Sequence, residues 1–405
     1  MITFALSARR FALVFAATAL LLAQSTPAQT TTRAEPEKRL NIIFILIDDL
    51  GKEWINCYGG ENIDTPNIDR LASSGLRFEN AYSMPQCTPT RACLLTGQYP
   101  FRNGWVNHWD VPRWGVGYYD WNKNACFPKA IKAAGYATAI AGKWQINDFR
   151  LQPNCLNDMG FDDYCMWTGG EGSLSDQNHE RVSTRRYWDP YIHTKAGSKT
   201  YDGKFGPDIY NDFVLNFISQ NAKQPFFIYY PMALTHGPLV HTPLEPHVTS
   251  RIDKHKAMVR YADHLLGKVL DRLDPLKLRD NTLIVWTTDN GTARGISNRM
   301  HGRVVPGGKG LTTENGVNAP FIVSCPTVVP AGVTDALVDF TDIAPTLAEV
   351  AAAQLESGYV YDGFSFVDVL LGKSKQSKRQ WIMAMGGQAG VATDNGIENV
   401  FEYRD

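Results

Sequence analysis

Cys87 is followed by Thr88, Pro89, Thr90 and Arg91, and then by the run Ala92-Cys93-Leu94-Leu95-Thr96-Gly97. The thiol is a possible nucleophile placed just before a proline. Proline suits a first helical turn, where its missing N–H costs nothing. Residues 90–96 then read as a short apolar helix stopped by Gly97. Cys87 is therefore expected over a helix N-terminus, where free N–H groups and the dipole favour an anion. Arg91, one turn in, can fork onto two oxygens of a tetrahedral oxyanion. By itself a lone cysteine at a turn-to-helix junction is more often a buried structural thiol.

A second group of residues has the character of a cation site. Asp48-Asp49 and Asp289-Asn290 supply hard oxygen ligands only, which select Ca²⁺ or Mg²⁺ over Zn²⁺. Either pair alone reads equally as a solvated turn. Asn290-Gly291-Thr292 also spells a glycosylation acceptor, a role closed to a buried ligand. Lys143 and Lys309 sit in glycine-flanked loops where a backbone can approach an anion closely, and His236 follows the apolar run 226–230 in Thr235-His236-Gly237-Pro238.

These residues need a scaffold that brings distant segments together. Ile42–Ile47 runs into Asp48, Ala137–Ala141 into Gly142-Lys143, Phe226–Tyr230 towards His236, and Leu283–Trp286 through two threonines into Asp289. Strands that are apolar throughout, without alternation, fit a parallel sheet buried on both faces. Helices are expected at 68–74, capped by Asn67, and at 128–134, 208–220, 254–273 and 338–353. Strands alternating with helices give a doubly wound α/β fold, whose ligands bind beyond the carboxyl ends of the strands. Gly307-Gly308-Lys309-Gly310 is a further loop carrying a cation to that edge. Residues 145–205 read as a long surface insertion that shapes a pocket. Trp105, Trp109, Trp114 and Trp121 could stack on a ring of the substrate or simply pack, and His241 lies close to His236 in sequence.

Composition narrows the partners. The chain has 405 residues, 40 Lys+Arg against 41 Asp+Glu, and a net charge of −1. No basic field exists to hold nucleic acid or an anionic membrane, so anion recognition must come from a few converging cations. Arg9 and Arg10 precede the apolar run Phe11–Leu22, about twelve residues against the roughly twenty a spanning helix needs. A signal peptide cleaved after Ala28 is expected, and with it an exported protein, periplasmic or secreted, without a stable membrane anchor. Of the seven cysteines, Cys155 and Cys165 are the nearest candidates for a disulfide in such a compartment.

The string from Cys87 to Gly97 resembles the signature of the type I sulfatases, C-x-P-S/A-R followed by x-x-L-L-T-G, with Thr90 in the Ser/Ala place. Asp48-Asp49, Asp289-Asn290 and Asp362-Gly363-Phe364-Ser365-Phe366 extend the resemblance over roughly residues 40–370. It implies an alkaline-phosphatase-like α/β/α sandwich with a mostly parallel central sheet and a small C-terminal subdomain. The expected division is a signal peptide at 1–28, a linker at 29–39, a catalytic domain at 40–353 and an incomplete subdomain at 354–405. The resemblance also implies that a maturation enzyme oxidises Cys87 to formylglycine, whose hydrate is the nucleophile. One Ca²⁺ or Mg²⁺ would be held by Asp48, Asp49, residue 87, Asp289 and Asn290. Arg91, Lys143, Gln145, His236 and Lys309 would hold the substrate, and His236 or Lys309 would protonate the leaving group. One position departs: the family often reads G-K-W-H, and this chain reads Gly142-Lys143-Trp144-Gln145. Glutamine can donate and accept hydrogen bonds but takes no proton at neutral pH. The expected substrate is an aryl or carbohydrate sulfate ester, small or polymeric. The alternatives are a phosphate or phosphonate ester hydrolase, and a binder of sulfated glycans that does no chemistry.

Overall fold

The four apolar runs become neighbours in one sheet. Its strands are Asn41–Ile47 (β1), Leu76–Phe78 (β2), Ala137–Lys143 (β3), Asp163–Trp167 (β4), Tyr191–Thr194 (β5), Gly197–Thr200 (β6), Phe226–Pro231 (β7), Thr282–Thr288 (β8), Phe321–Ser324 (β9) and Gly332–Thr334 (β10). They lie in the order β10-β2-β9-β8-β1-β7-β3-β4-β5-β6. The five central strands, β8 to β4, are parallel, and antiparallel pairs flank them on both sides. This computed structural model describes residues 39–106, 124–147, 149, 152–167 and 185–386, with the backbone of short strands at 392–393, 396–397 and 401–404. The expected signal peptide and Trp109, Trp114 and Trp121 lie outside the described residues. Among the described residues no helix is long and apolar enough to cross a membrane.

Strand alternation divides the apolar side chains between two cores. Ile42, Phe44 and Leu46 of β1 enter one, and Ile43, Ile45 and Ile47 enter the other. The second core is covered by helices Pro66–Ser73 (α1), Gly206–Gln220 (α4) and Arg251–Leu273 (α5). The first is covered by Cys87–Thr96 (α2), Phe127–Ala133 (α3) and Ile343–Val350 (α6). The result is the expected α/β/α sandwich. The stripe Met258, Tyr261, Ala262, Leu265, Leu266, Val269 and Leu273 is buried throughout.

Several expectations need correction. The described parts of 145–205 are not a surface insertion, since β4 continues the parallel sheet beside β3 and the β5–β6 hairpin extends its edge. Tyr164 and Met166 face one core while Cys165 and Trp167 face the other, an alternation too short to stand out in sequence. Cys155 packs in the core opposite to Cys165, so the sheet separates the two sulfurs and they do not pair. Helix α1 starts at Pro66, and its cap is not Asn67 but the Asp263 carboxylate of α5, which accepts the Asn67 and Ile68 N–H groups at 2.9 and 2.8 Å. Ser250 caps α5 by accepting the Asp253 N–H, three residues before the expected start. The helix expected from 338 is delayed to 343. Asp339 accepts the Thr341 N–H while Asp342 accepts the Asp339 N–H, a reciprocal cap set inside the apolar pattern.

Beyond α6, Ile382–Met385 pairs antiparallel with Phe401–Arg404. The anchor of this region is Arg379, only 4% exposed. Its guanidinium donates to both oxygens of Asp342, at 2.7 and 2.6 Å, to the Tyr99 hydroxyl at 3.0 Å and to the Asp362 carbonyl at 2.9 Å. Removing one partner of a buried ion pair leaves an uncompensated charge. Arg379→Ala is therefore expected to lower stability by about 3–5 kcal/mol. Urea denaturation followed by fluorescence checks this, with Arg379→Lys expected to recover part of the loss.

Candidate active site

The parallel strands β1, β3, β7 and β8 end side by side, and the polar residues gather there. Consecutive side chains of a strand point to opposite faces. Asp49 escapes that rule through a left-handed backbone, φ 60°, so that Asp48 and Asp49 both reach the pocket of Asp289. A non-glycine residue held there costs on the order of 1–3 kcal/mol and needs support. The Asp49 N–H donates to Asp289 Oδ1 at 3.1 Å, and the Thr235 N–H donates to the Asp48 carbonyl at 2.6 Å.

Three buried carboxylates so close would repel, and each is met by a cation. Lys143 Nζ lies 2.5 Å from Asp48 Oδ2, Lys309 Nζ 2.7 Å from Asp49 Oδ1, and Arg91 Nη2 2.8 Å from Asp289 Oδ2. Burial alone would raise the Asp48 pKa, but Lys143, His236, Arg91 and Lys309 together hold it well below the carboxylate range. Asp49 is lowered in the same way, against burial, chiefly by Lys309. Asp289 goes the other way, pushed up by burial and by the charge of Asp48 despite Arg91. Burial, reinforced by Lys143, brings His236 down to about 4, so its ring is neutral at pH 7.

The oxygens still not used point to a further cation. Asp48 Oδ1 and Asn290 Oδ1 are buried and accept no hydrogen bond. Asn290 Nδ2 donates to Asp49 Oδ1 at 2.8 Å and to the Gly291 carbonyl at 2.9 Å. Ligand atoms of Asp48, Cys87 and Asp289 lie within 4.8 Å of one another, and so do those of Asp48, Asp49 and His236. Hard, orphaned oxygens in a pocket of this size fit Ca²⁺ or Mg²⁺. Asn290 is fully buried, so the glycosylation reading of Asn290-Gly291-Thr292 falls.

Helix α2 begins at Cys87 itself, three residues before the expected start, and ends at Gly97, φ 67°, as expected. The buried Cys87 Sγ lies 3.5 Å from Gln145 Oε1. Gln145 also has a left-handed backbone, φ 62°, and the Thr88 hydroxyl donates to its carbonyl at 3.2 Å. Gly142 allows β3 to close on β7, since a Cβ there would sit 2.0 Å from the Pro231 carbonyl oxygen. Arg91 corrects the sequence reading. Its fork, expected on substrate oxygens, is buried and closed on Asp289 and on the Lys143 carbonyl at 3.1 Å, so it positions the pocket from beneath. The Thr90 hydroxyl lies 2.7 Å from the Asp289 carbonyl, a tie that Ala could not make. His236 and Lys309, with side chains 22% and 20% exposed, form the mouth. Trp105 is buried core, and His241 packs against Trp188.

Sequence reasoning missed two contributors. Thr292 accepts the Gly51 N–H at 2.9 Å and donates to the buried Glu53 carboxyl at 2.5 Å, which ties the two ligand loops together. Arg186 Nη1 lies 3.1 Å from His236 Nδ1. Neither has a motif, because each depends on which loops the sheet makes adjacent.

The cation pocket gives a direct test. Stripping divalent ions with a chelator should lower the unfolding temperature, and adding Ca²⁺ or Mg²⁺ back should restore it. At a hundredfold excess over Kd the gain is about 2.7 kcal/mol. Asn290→Ala should reduce this response, and Zn²⁺ should not replace the oxygen-seeking ions.

Sandwich and pocket together define a fold of the alkaline-phosphatase type, with Cys87 at a helix N-terminus beside a cluster of buried carboxylates. More specifically, the chain belongs to the sulfatase family, whose profile matches residues 40–353. It is 32% identical to the N-acetylgalactosamine-6-sulfatase of Homo sapiens over 351 residues, 82% of this chain and 66% of that protein. It is 29% identical to the N-acetylgalactosamine-6-O-sulfatase of Bacteroides thetaiotaomicron over 407 residues, 84% of this chain and 78% of that one. The crystal structure of Ps i-CgsB in complex with k-i-k-neocarrahexaose superimposes with a TM-score of 0.73 at 26% identity, covering 91% of this chain and 82% of that chain. The chain thus spans 66% of the length of the human relative.

Proposed function

We propose that this protein hydrolyses sulfate esters of carbohydrates, using a formylglycine made from Cys87. The observation that carries the reading is Cys87 at the first position of α2, with its sulfur within 4.8 Å of carboxylate oxygens of Asp48 and Asp289. The relatives named for N-acetylgalactosamine-6-sulfatase activity and the oligosaccharide complex of Ps i-CgsB support a sulfated sugar as substrate.

A divalent cation on Asp48, Asp49, Asp289, Asn290 and residue 87 would supply charge for the sulfuryl oxygens and acidify a hydroxyl. Oxidised by a maturation enzyme and hydrated, residue 87 offers two hydroxyls on one carbon, one to accept the sulfuryl group and the other to expel sulfate and restore the aldehyde. Cys87 Sγ marks where those oxygens would sit. Lys143 and Lys309 face the charge that moves onto the sulfate and the leaving oxygen. Lys309, whose ammonium is stabilised against burial by Asp49, is the charged donor at the mouth. His236, with Nδ1 2.7 Å from the Gly237 carbonyl, turns Nε2 towards Asp49 at the mouth. Gln145, next to Sγ, orients a hydroxyl of residue 87 without taking its proton.

The test compares two esters of one sugar. Matured and loaded with Ca²⁺, the protein should release sulfate from N-acetylgalactosamine 6-sulfate with a higher kcat/KM than it releases phosphate from the 6-phosphate. The reverse preference would favour the phosphate-ester reading, and binding of the sulfate ester without turnover would favour a glycan binder. Gln145→Ala should lower kcat by on the order of 10–100-fold through lost positioning. Gln145→His should not exceed the natural protein, and a large gain there would mark Gln145 as a degraded base.

A further inference from the structure

Arg186 is the cation at the mouth that the catalytic pocket does not use. Arg91, Lys143 and Lys309 each have a carboxylate within 2.8 Å, so all three are already partnered. Arg186 has no carboxylate partner among the described residues, although its neighbour Arg185 pairs with Asp189 at 3.0 Å. It is half-buried, with its guanidinium 3.9 Å from the centre of the Trp167 ring and Nη1 3.1 Å from His236 Nδ1. Stacking holds a guanidinium flat while leaving its in-plane N–H groups open to an oxyanion.

The backbone that presents this side chain is held from Arg185 onward, where the Tyr191 N–H donates to the Arg185 carbonyl at 3.0 Å. The Tyr187 hydroxyl lies 2.6 Å from the Ala233 carbonyl and 2.5 Å from the His236 carbonyl. Trp188 Nε1 donates to the His241 carbonyl at 3.1 Å. Gly206 passes so close that a Cβ there would lie 2.2 Å from the Arg186 carbonyl oxygen, and its N–H donates to the Tyr187 carbonyl at 2.6 Å. A preorganised, partly desolvated cation without a counter-charge is costly unless a ligand supplies one.

We infer that Arg186 is a specificity-determining residue that binds a second anionic group of the substrate, a carboxylate or a further sulfate, on the sugar next to the ester that is cleaved. The inference rests on the reading of the pocket as a sulfate-ester site. Three placements support it: Arg186 touches His236, His236 Nε2 lies 3.7 Å from Asp49 Oδ2, and each of the three inner cations already has a carboxylate partner. A neutral sugar at that place would leave the guanidinium facing hydroxyls only. An acidic one would give it the forked, charge-assisted pair for which arginine is suited.

Three disaccharides test this. All carry N-acetylgalactosamine 6-sulfate, linked to a neutral sugar, to one with a carboxylate, or to one with a second sulfate. Kd is measured by calorimetry on the Ca²⁺-loaded full chain carrying Cys87→Ala, which cannot be matured, with and without Arg186→Ala or Arg186→Lys. At least one acidic disaccharide should bind on the order of 10–100-fold more tightly than the neutral one. Arg186→Ala should reduce that ratio to about one, and Arg186→Lys should keep part of it. Which acidic disaccharide is preferred identifies the anion as carboxylate or sulfate. A preference that survives Arg186→Ala would overturn the inference, as would no preference at all, including failure of all three to bind. Sulfate release by the matured natural chain is read in parallel. An Arg186-dependent preference without sulfate release would overturn the sulfatase reading and leave the anion site standing.

Discussion

Mutual repulsion of Asp48, Asp49 and Asp289 is the constraint on which the rest of the site depends. They are brought together by register: Ile47 of β1 pairs with Thr288 of β8, so the next residues, Asp48 and Asp289, emerge side by side. In a dry pocket like charges interact far more strongly than in water. The fold answers with Lys143 at the end of β3, Arg91 one turn into α2 and Lys309 on a loop after β8. That arrangement neutralises the acids and still leaves Asp48 Oδ1 and Asn290 Oδ1 without partners. Under the proposed function those oxygens would hold a cation and, through it, an anion.

The same ends of the strands set the division of labour. Residues below the pocket, Arg91, Thr90 and Thr292, are buried and fix the carboxylates and their loops. Residues at its mouth, His236 and Lys309, are partly exposed and can meet a ligand. Cys87 lies between the two groups, at the N-terminus of α2, with Gln145 against its sulfur. A family that usually has Ala or Ser at position 90 can lose the tie to the Asp289 carbonyl or make it with a smaller side chain. Threonine makes it here and also fills the space.

Much of this was legible in the sequence, for physical reasons. The central strands are buried on both faces and so are apolar throughout, which made β1, β3, β7 and β8 visible with their terminal polar residues. The residues around Cys87 form one contiguous element, so their spacing alone carried the helix and its stop at Gly97. What failed depends on tertiary neighbours. β4 is five residues long and sits between polar segments, so nothing local distinguished it from a loop. The cap of α1 comes from Asp263, far along the chain, and the burial of Arg379 is set by Asp342 and Tyr99. Arg91 was assigned to the substrate because a guanidinium one turn into the helix can fork onto two oxygens of an oxyanion. Only the structure shows that Asp289 and the Lys143 carbonyl reach it first.

The central claim is that residue 87 acts as an aldehyde hydrate and not as a thiol. Its place at the first position of α2, beside Gln145 and within ligand distance of Asp48 and Asp289, is the basis for that claim. The most direct measurement is mass spectrometry of the peptide spanning Cys87 to Arg91, from protein made in a host that matures other sulfatases. The account predicts that the thiol is replaced by formylglycine, detectable by its mass and by reaction with a hydrazide. An unmodified cysteine at position 87 under those conditions would contradict it.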